Sequence, residues 1–90
     1  MLKVNASGKF KKDLKACVKR GYDLQMLEEV VDILRIPDKL PKKNKDHYLT
    51  GNYKGRKECH ISPDWLLIYE IFEDELYLDR TGTHSDLFGK

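Results

Sequence analysis

Residues 56–81 read RKECHISPDWLLIYEIFEDELYLDRT, and this stretch decides the fold. Pro63-Asp64 and the acidic turn Glu73-Asp74-Glu75 divide it into three runs with strand character, 56–62, 65–73 and 75–81. Trp65-Leu66-Leu67-Ile68-Tyr69 is apolar at five successive positions, so both faces of that strand need cover and it belongs at the centre of a sheet. Working outward, 47–53 reads as a further strand, with Gly51-Asn52 as turn chemistry before the next. Pro37 to Asp46, with two prolines and four lysines, reads as an irregular basic loop.

Upstream of that loop the periodicity is helical. Asp23 caps a helix that carries Leu24, Leu27, Val30, Val31 and Leu34 on one stripe, and Pro37 forbids its continuation. Ser7 caps an earlier helix with Phe10, Leu14, Cys17 and Val18 at helical spacing, and Gly21 stops it. Leu2-Lys3-Val4 alternates like a short strand, and 83–88 reads as one closing turn of helix. The expected fold is therefore α+β: an N-terminal strand, an α-helical hairpin, a four-stranded antiparallel meander and a short C-terminal helical turn. The helices lie on one face of the sheet. Its second face must be covered by the C-terminal turn, a ligand or a partner protein.

Ninety residues make a single domain spanning 1–90. A chain of this size buries roughly 60–65% of its unfolded surface and folds with little stability in reserve. No apolar run is long enough to span a membrane, and MLKVNASGKF lacks the apolar core of a signal peptide. Cys17 and Cys59 are too sparse for a disulfide scaffold, so a reduced, cytoplasmic chain is expected. The net charge of +2 conceals an asymmetry. Residues 1–57 carry 15 basic and 7 acidic side chains, a net of +8, whereas 58–90 carry 2 and 8, a net of −6. One cationic region on an otherwise ordinary globule is the reading.

That region adjoins the histidines. Lysines 9, 11, 12, 15 and 19 occupy the outer face of the first helix, and Lys42, Lys43 and Lys45 stand just before His47, with Lys54 and Arg56 soon after. Positive charge beside imidazoles suits a polyanion such as RNA, and the loop cluster carries that reading, whereas a solvated helix face is the better account of the first-helix lysines alone. Trp65 and Phe88 can stack on splayed bases, with core packing the alternative for Trp65. His47, His60 and His84 supply side chains with a pKa of about 6.5, suited to proton transfer in either direction near neutrality. Strand parity puts His60 with Glu58 and Arg56 on one face and Cys59 with Ile61 on the other. Cys59 and His60 therefore do not share a metal, and no CxxC or HxxxH spacing exists.

Three segments are more specific: Asp46-His47 with Leu49-Thr50-Gly51, then Glu58-Cys59-His60-Ile61-Ser62-Pro63-Asp64-Trp65, then Arg80-Thr81-Gly82-Thr83-His84 through Leu87-Phe88. In this order they closely resemble the YafQ toxins of bacterial type II toxin–antitoxin systems, within the RelE/ParE superfamily, and the resemblance runs the whole length of the chain. Tyr48 stands where many relatives have proline, and Ser62 is one of several residues found before Pro-Asp. Neither position belongs to a proposed catalytic group. The resemblance implies a RelE-like fold and a ribosome-dependent endoribonuclease that cuts mRNA in the ribosomal A site. It further implies a DinJ-like antitoxin of the RelB type, with a monomeric toxin forming a heterotetramer or similar assembly with it.

Carried over residue by residue, the family's active-site set falls on His47, His60, Asp64, Trp65, Arg80, His84 and Phe88. The implied chemistry is attack by the 2′-hydroxyl on the adjacent phosphorus without a metal or cofactor. His84 is the expected acid, Asp64 with His60 or His47 the base side, and Arg80 the transition-state stabiliser. Two other readings share the fold: a non-catalytic RNA-binding regulator, and a ParE-like toxin directed at DNA gyrase. The histidines discriminate, because RNA scission needs titratable groups and the alternatives do not.

Overall fold

The computed structural model describes residues 1–36, 44, 46–49 and 55–89. The elements run β1 (Lys3–Ala6), α1 (Gly8–Lys19), α2 (Leu24–Arg35), β2 (His47–Tyr48), β3 (Lys57–Ser62), β4 (Trp65–Phe72), β5 (Glu75–Gly82) and α3 (His84–Phe88). They form a five-stranded sheet in the order β1-β5-β4-β3-β2. Strands β2 to β5 are the expected antiparallel meander, and β1 joins parallel to β5 at the edge. The expected strand over 47–53 is described only at its start, since residues 50–54 lie outside the described residues.

Local chemistry explains the boundaries. Ser7 Oγ accepts from Phe10 N at 2.9 Å and donates to Asp79 O at 2.8 Å, so one hydroxyl caps α1 and pins it to β5. Asp23 caps α2 by accepting from Gln25 N at 3.0 Å. The end of α2 is tied to β1 by Leu2 N–H donating to Arg35 O and Arg35 Nε donating to Leu2 O.

One face of the sheet carries the main core. Phe10 and Cys17 from α1 and Leu27, Val30 and Leu34 from α2 pack there with Cys59, Ile61, Leu67, Tyr69, Leu76 and Leu78. Two stripe positions differ from expectation: Val18 and Leu24 are exposed, because each stripe is narrower than its apolar residues suggest. The second face carries a smaller cluster, in which Leu66 and Ile68 are covered by Leu87 of α3 and by Leu49. The cover over β4 is thus the chain's own C-terminal turn. Among the described residues no helix is long and apolar enough to cross a membrane.

Candidate active site

The second face of the sheet places the titratable groups. Because directly paired residues point to the same side, the register His47↔Glu58↔Ile68↔Arg80 lays one row of side chains across four strands. The adjacent row is His60↔Leu66↔Gly82. Parity on β3 is as expected: Cys59 and Ile61 enter the helix-side core, and Glu58 and His60 face the other way.

Gly82 is what allows α3 to lie over this face. Its φ is +152°, and a Cβ there would approach Asp86 Cβ and Oδ2 to 3.0 Å. Asp86 itself closes a capping box: Thr83 Oγ1 accepts from Asp86 N, and Asp86 Oδ2 accepts from Thr83 N. Arg20, at the end of α1, donates to both Asp86 oxygens at 2.6 and 3.0 Å. Arg20 chiefly, and then Thr83, hold the Asp86 carboxyl well below the usual range.

These contacts fix the start of α3, where His84 sits. Its backbone N–H donates to Asp64 Oδ1 at 3.0 Å, and its Nδ1 is 2.7 Å from the same oxygen. The backbone N–H first, and the ring second, lower the Asp64 carboxyl. With Nδ1 engaged by a carboxylate, Nε2 is the ring nitrogen left for other chemistry. The rings of His60 and His84 meet edge to face, with centroids 5.6 Å apart.

Glu58 lies between the remaining histidines. It is 4% exposed, and its Oε1 is 3.4 Å from His47 Nε2 and 3.5 Å from His60 Nε2. Sequence reasoning noted its parity but left it out of the site; the Glu-x-His pair on one strand face was the available signal. Asn44 was also missed. It is buried, and its Nδ2 donates to His60 O at 2.6 Å, which holds Asn44 against the histidine's own backbone.

Arg80 is oriented by Asp13 of α1: Nε donates to Oδ2 at 2.6 Å and Nη2 to Oδ1 at 3.1 Å, a bidentate pair. Asp13 Oδ2 also accepts from Thr81 N at 3.2 Å. Nothing in the sequence of α1 marks Asp13 as part of this arrangement.

Not every expected residue joins the site. Trp65 is 3% exposed and lies on the helix side, with its ring against Tyr22 and its Nε1 donating to Thr81 Oγ1 at 2.8 Å. It is a core residue, not a stacking platform, because Pro63-Asp64 starts β4 with Trp65 facing the helices. Arg56 is ion-paired with Asp79 at 3.2 Å, beside a cavity also lined by Glu70 and Glu75, and so sits in acidic surroundings. Asp64, expected on the base side, contacts His84 instead. Phe88 is partly exposed, one helical turn after His84. Lys42, Lys43, Lys45 and Lys54 lie outside the described residues.

The two thiols take no part. Burial first, then the Asp46 and Glu58 carboxylates, push Cys59 up to about 12, and burial also raises Cys17. Asp46 is engaged by Lys57 Nζ at 2.6 Å and by the Tyr69 hydroxyl.

Comparison with known proteins gives this geometry a context. Residues 2–89 match the family described as the bacterial toxin of type II toxin–antitoxin system, YafQ. The mRNA interferase toxin YafQ of Escherichia coli K12 is 40% identical over 89 residues, covering 96% of this chain and 95% of that protein. A metal-bound toxin from Helicobacter pylori is 49% identical, with a TM-score of 0.92 over 98% of this chain and 100% of that one. The toxin of the E. coli DinJ–YafQ toxin–antitoxin complex is 40% identical, with a TM-score of 0.86 and 98% of each chain covered. With the family match spanning nearly its full length and the His-Asp-Arg-His set held on one face, the chain belongs to the YafQ family of bacterial type II toxins.

Proposed function

We propose that the chain is an endoribonuclease toxin that cuts mRNA in the ribosomal A site and is neutralised by a DinJ-like antitoxin. The observation that carries the reading is the Asp64–His84 contact, which engages His84 Nδ1 and leaves Nε2 for chemistry on a ring that meets His60 edge to face. Support for the substrate comes from the E. coli relative named an mRNA interferase, and for the partner from the DinJ–YafQ complex.

Cleavage of RNA through its own 2′-hydroxyl needs a base at that hydroxyl, positive charge on the phosphorane and an acid at the departing 5′-oxygen. His84, protonated on Nε2, donates to the 5′-oxygen, and Asp64 holds the imidazolium in place through Nδ1. His60 accepts the 2′-hydroxyl proton, with Glu58, which also lies beside His47, orienting it. Arg80, aimed by Asp13, stabilises the phosphorane oxygens. The 2′-oxygen bonds to phosphorus as the P–O5′ bond breaks. The products are a 2′,3′-cyclic phosphate, or the 3′-phosphate from its hydrolysis, and a 5′-hydroxyl.

This face is a shallow sheet surface, so in-line geometry has to come from elsewhere. The A site, which holds mRNA bent, supplies it and removes the orientational cost from a small enzyme. The exposed α1 lysines and Lys42, Lys43, Lys45 and Lys54 are suited to ribosomal RNA phosphates. Mapping 5′ ends on mRNA in a translation system tests the whole reading. Wild-type protein should create ribosome-dependent ends bearing 5′-hydroxyls, and His84→Ala should create none. Growth arrest with intact mRNA would put the gyrase-directed reading ahead.

A further inference from the structure

α3 is five residues long, too short to hold its own orientation, so contacts with the rest of the chain set the position of His84 at its start. Leu87 anchors α3 on the second face of the sheet, and Asp64 anchors the His84 N–H. The third support comes from the other layer. Arg20, the C-terminal cap of α1, donates from Nη1 to Asp86 Oδ2 at 2.6 Å and from Nη2 to Asp86 Oδ1 at 3.0 Å. The same Oδ2 accepts from Thr83 N at 3.0 Å, so the fork of Arg20 grips the capping box that starts α3. α1 packs on the helix side of the sheet and α3 on the opposite side, which makes this ion pair a strut between the two layers.

Asp13 lies on the same side of α1, about two helical turns before Arg20, and its carboxylate holds Arg80 by a bidentate pair. One helix therefore orients two members of the site. It holds the Arg80 guanidinium directly, and the His84 imidazole through Asp86 and the first turn of α3. The separation of the proposed acid from the proposed phosphorane-stabilising cation is then a property of α1, a continuous element of 12 residues. Arg20 differs from the α1 lysines in that Asp86 engages both of its terminal nitrogens. Its role is geometric, not the neutralisation of RNA phosphates.

We propose that Arg20 is a positioning residue for RNA cleavage, which fixes His84 relative to Arg80 through its fork on Asp86. The catalytic half rests on the acid–base reading above, in which His84 protonates the departing 5′-oxygen; the hold on α3 rests on geometry alone.

The test is single-turnover cleavage by the full-length chain on programmed ribosomes, with ordinary mRNA and with mRNA carrying a 5′-bridging sulfur, whose departure needs no acid. The Arg20 side chain is 42% exposed, so Arg20→Ala leaves the core intact. This variant should cleave ordinary mRNA about 10-fold more slowly and the sulfur-bridged substrate within about 2-fold of wild type. Arg20→Lys keeps the charge without the fork and should lose about 3-fold. Adding Asp86→Asn to Arg20→Ala should cost less than about 2-fold more, because both act through one contact. Amide exchange at His84 and Leu87 should quicken about 3- to 10-fold in Arg20→Ala. A wild-type rate, unchanged exchange or fully additive losses would overturn the proposal. An equal Arg20→Ala loss on both substrates, while sulfur rescues His84→Gln, would overturn it too and make Arg20 an RNA contact. An equal His84→Gln loss on both substrates, with faster exchange in Arg20→Ala, would overturn the acid reading and support the hold of Arg20 on α3.

Discussion

His84 meets Asp64 through two atoms: its backbone N–H donates to Asp64 Oδ1 at 3.0 Å, and its Nδ1 lies 2.7 Å from the same oxygen. One carboxylate thus sets both the start of α3 and the direction of the imidazole. Asp64 is a positioning residue for the proposed acid.

Asp64→Asn should therefore slow cleavage on the order of 100-fold while leaving the thermal midpoint nearly unchanged, since the side chain is largely exposed. The Asp64 carboxyl is held below its ordinary value, so the contact is fully present above the ordinary carboxylate range and is lost only as pH falls through the lowered value. Single-turnover rates at pH 5 and pH 7 check this: the ratio of wild type to Asp64→Asn should stay large at pH 5.

Trp65 is expected to matter for folding and not for RNA. Trp65→Phe removes the indole donor to Thr81 Oγ1 and should cost about 1–2 kcal/mol in urea unfolding. Cleavage by the folded fraction should stay within a few-fold of wild type. A selective loss of RNA binding with unchanged stability would return Trp65 to the stacking role.

The contrast with Trp65 marks how far the sequence can be read. Alternation on β3 is a backbone property, so the opposite facing of Cys59 and His60 was legible from spacing. So were the meander, both helix caps and the cover by α3 as one of three candidates. The side on which Trp65 starts β4 depends on the Pro63-Asp64 turn, and no periodicity settles that. The grip of Asp13 on Arg80 joins residues 67 apart through packing of α1 on β5. Glu58 between His47 and His60 depends on register between β2 and β3, fixed by the fold as a whole.

Gly82→Ala should displace α3. A Cβ at this position meets Asp86 Cβ and Oδ2 at 3.0 Å, with φ at +152°, so both space and backbone oppose it. A loss of about 1–3 kcal/mol is expected, read from thermal or urea unfolding. Cleavage by the folded fraction should fall as well, because His84 moves with the helix. Wild-type stability and activity together would show that α3 does not need this close approach.

Cys59 gives a pH signature. Its pKa is about 12 in the fold, against about 8.5 for an unfolded thiol. The folded chain keeps the proton longer, so this contribution is fully present below about pH 8.5 and is lost as pH rises beyond it. Between pH 7.5 and 10 the thiol should account for about 2 kcal/mol of lost stability. Comparing urea midpoints of wild type and Cys59→Ala isolates it: the alanine variant should show the shallower alkaline decline. Parallel declines would mean that the thiol ionises freely in the native state.

The central claim is that His84 delivers the proton to the departing 5′-oxygen. An mRNA carrying a 5′-bridging sulfur at the scissile linkage has a leaving group that needs no acid. On programmed ribosomes, His84→Gln should lose about 10²- to 10⁴-fold in single-turnover rate on ordinary mRNA, and most of that loss should vanish on the sulfur-bridged substrate. An equal loss on both substrates would contradict the account and assign His84 another role.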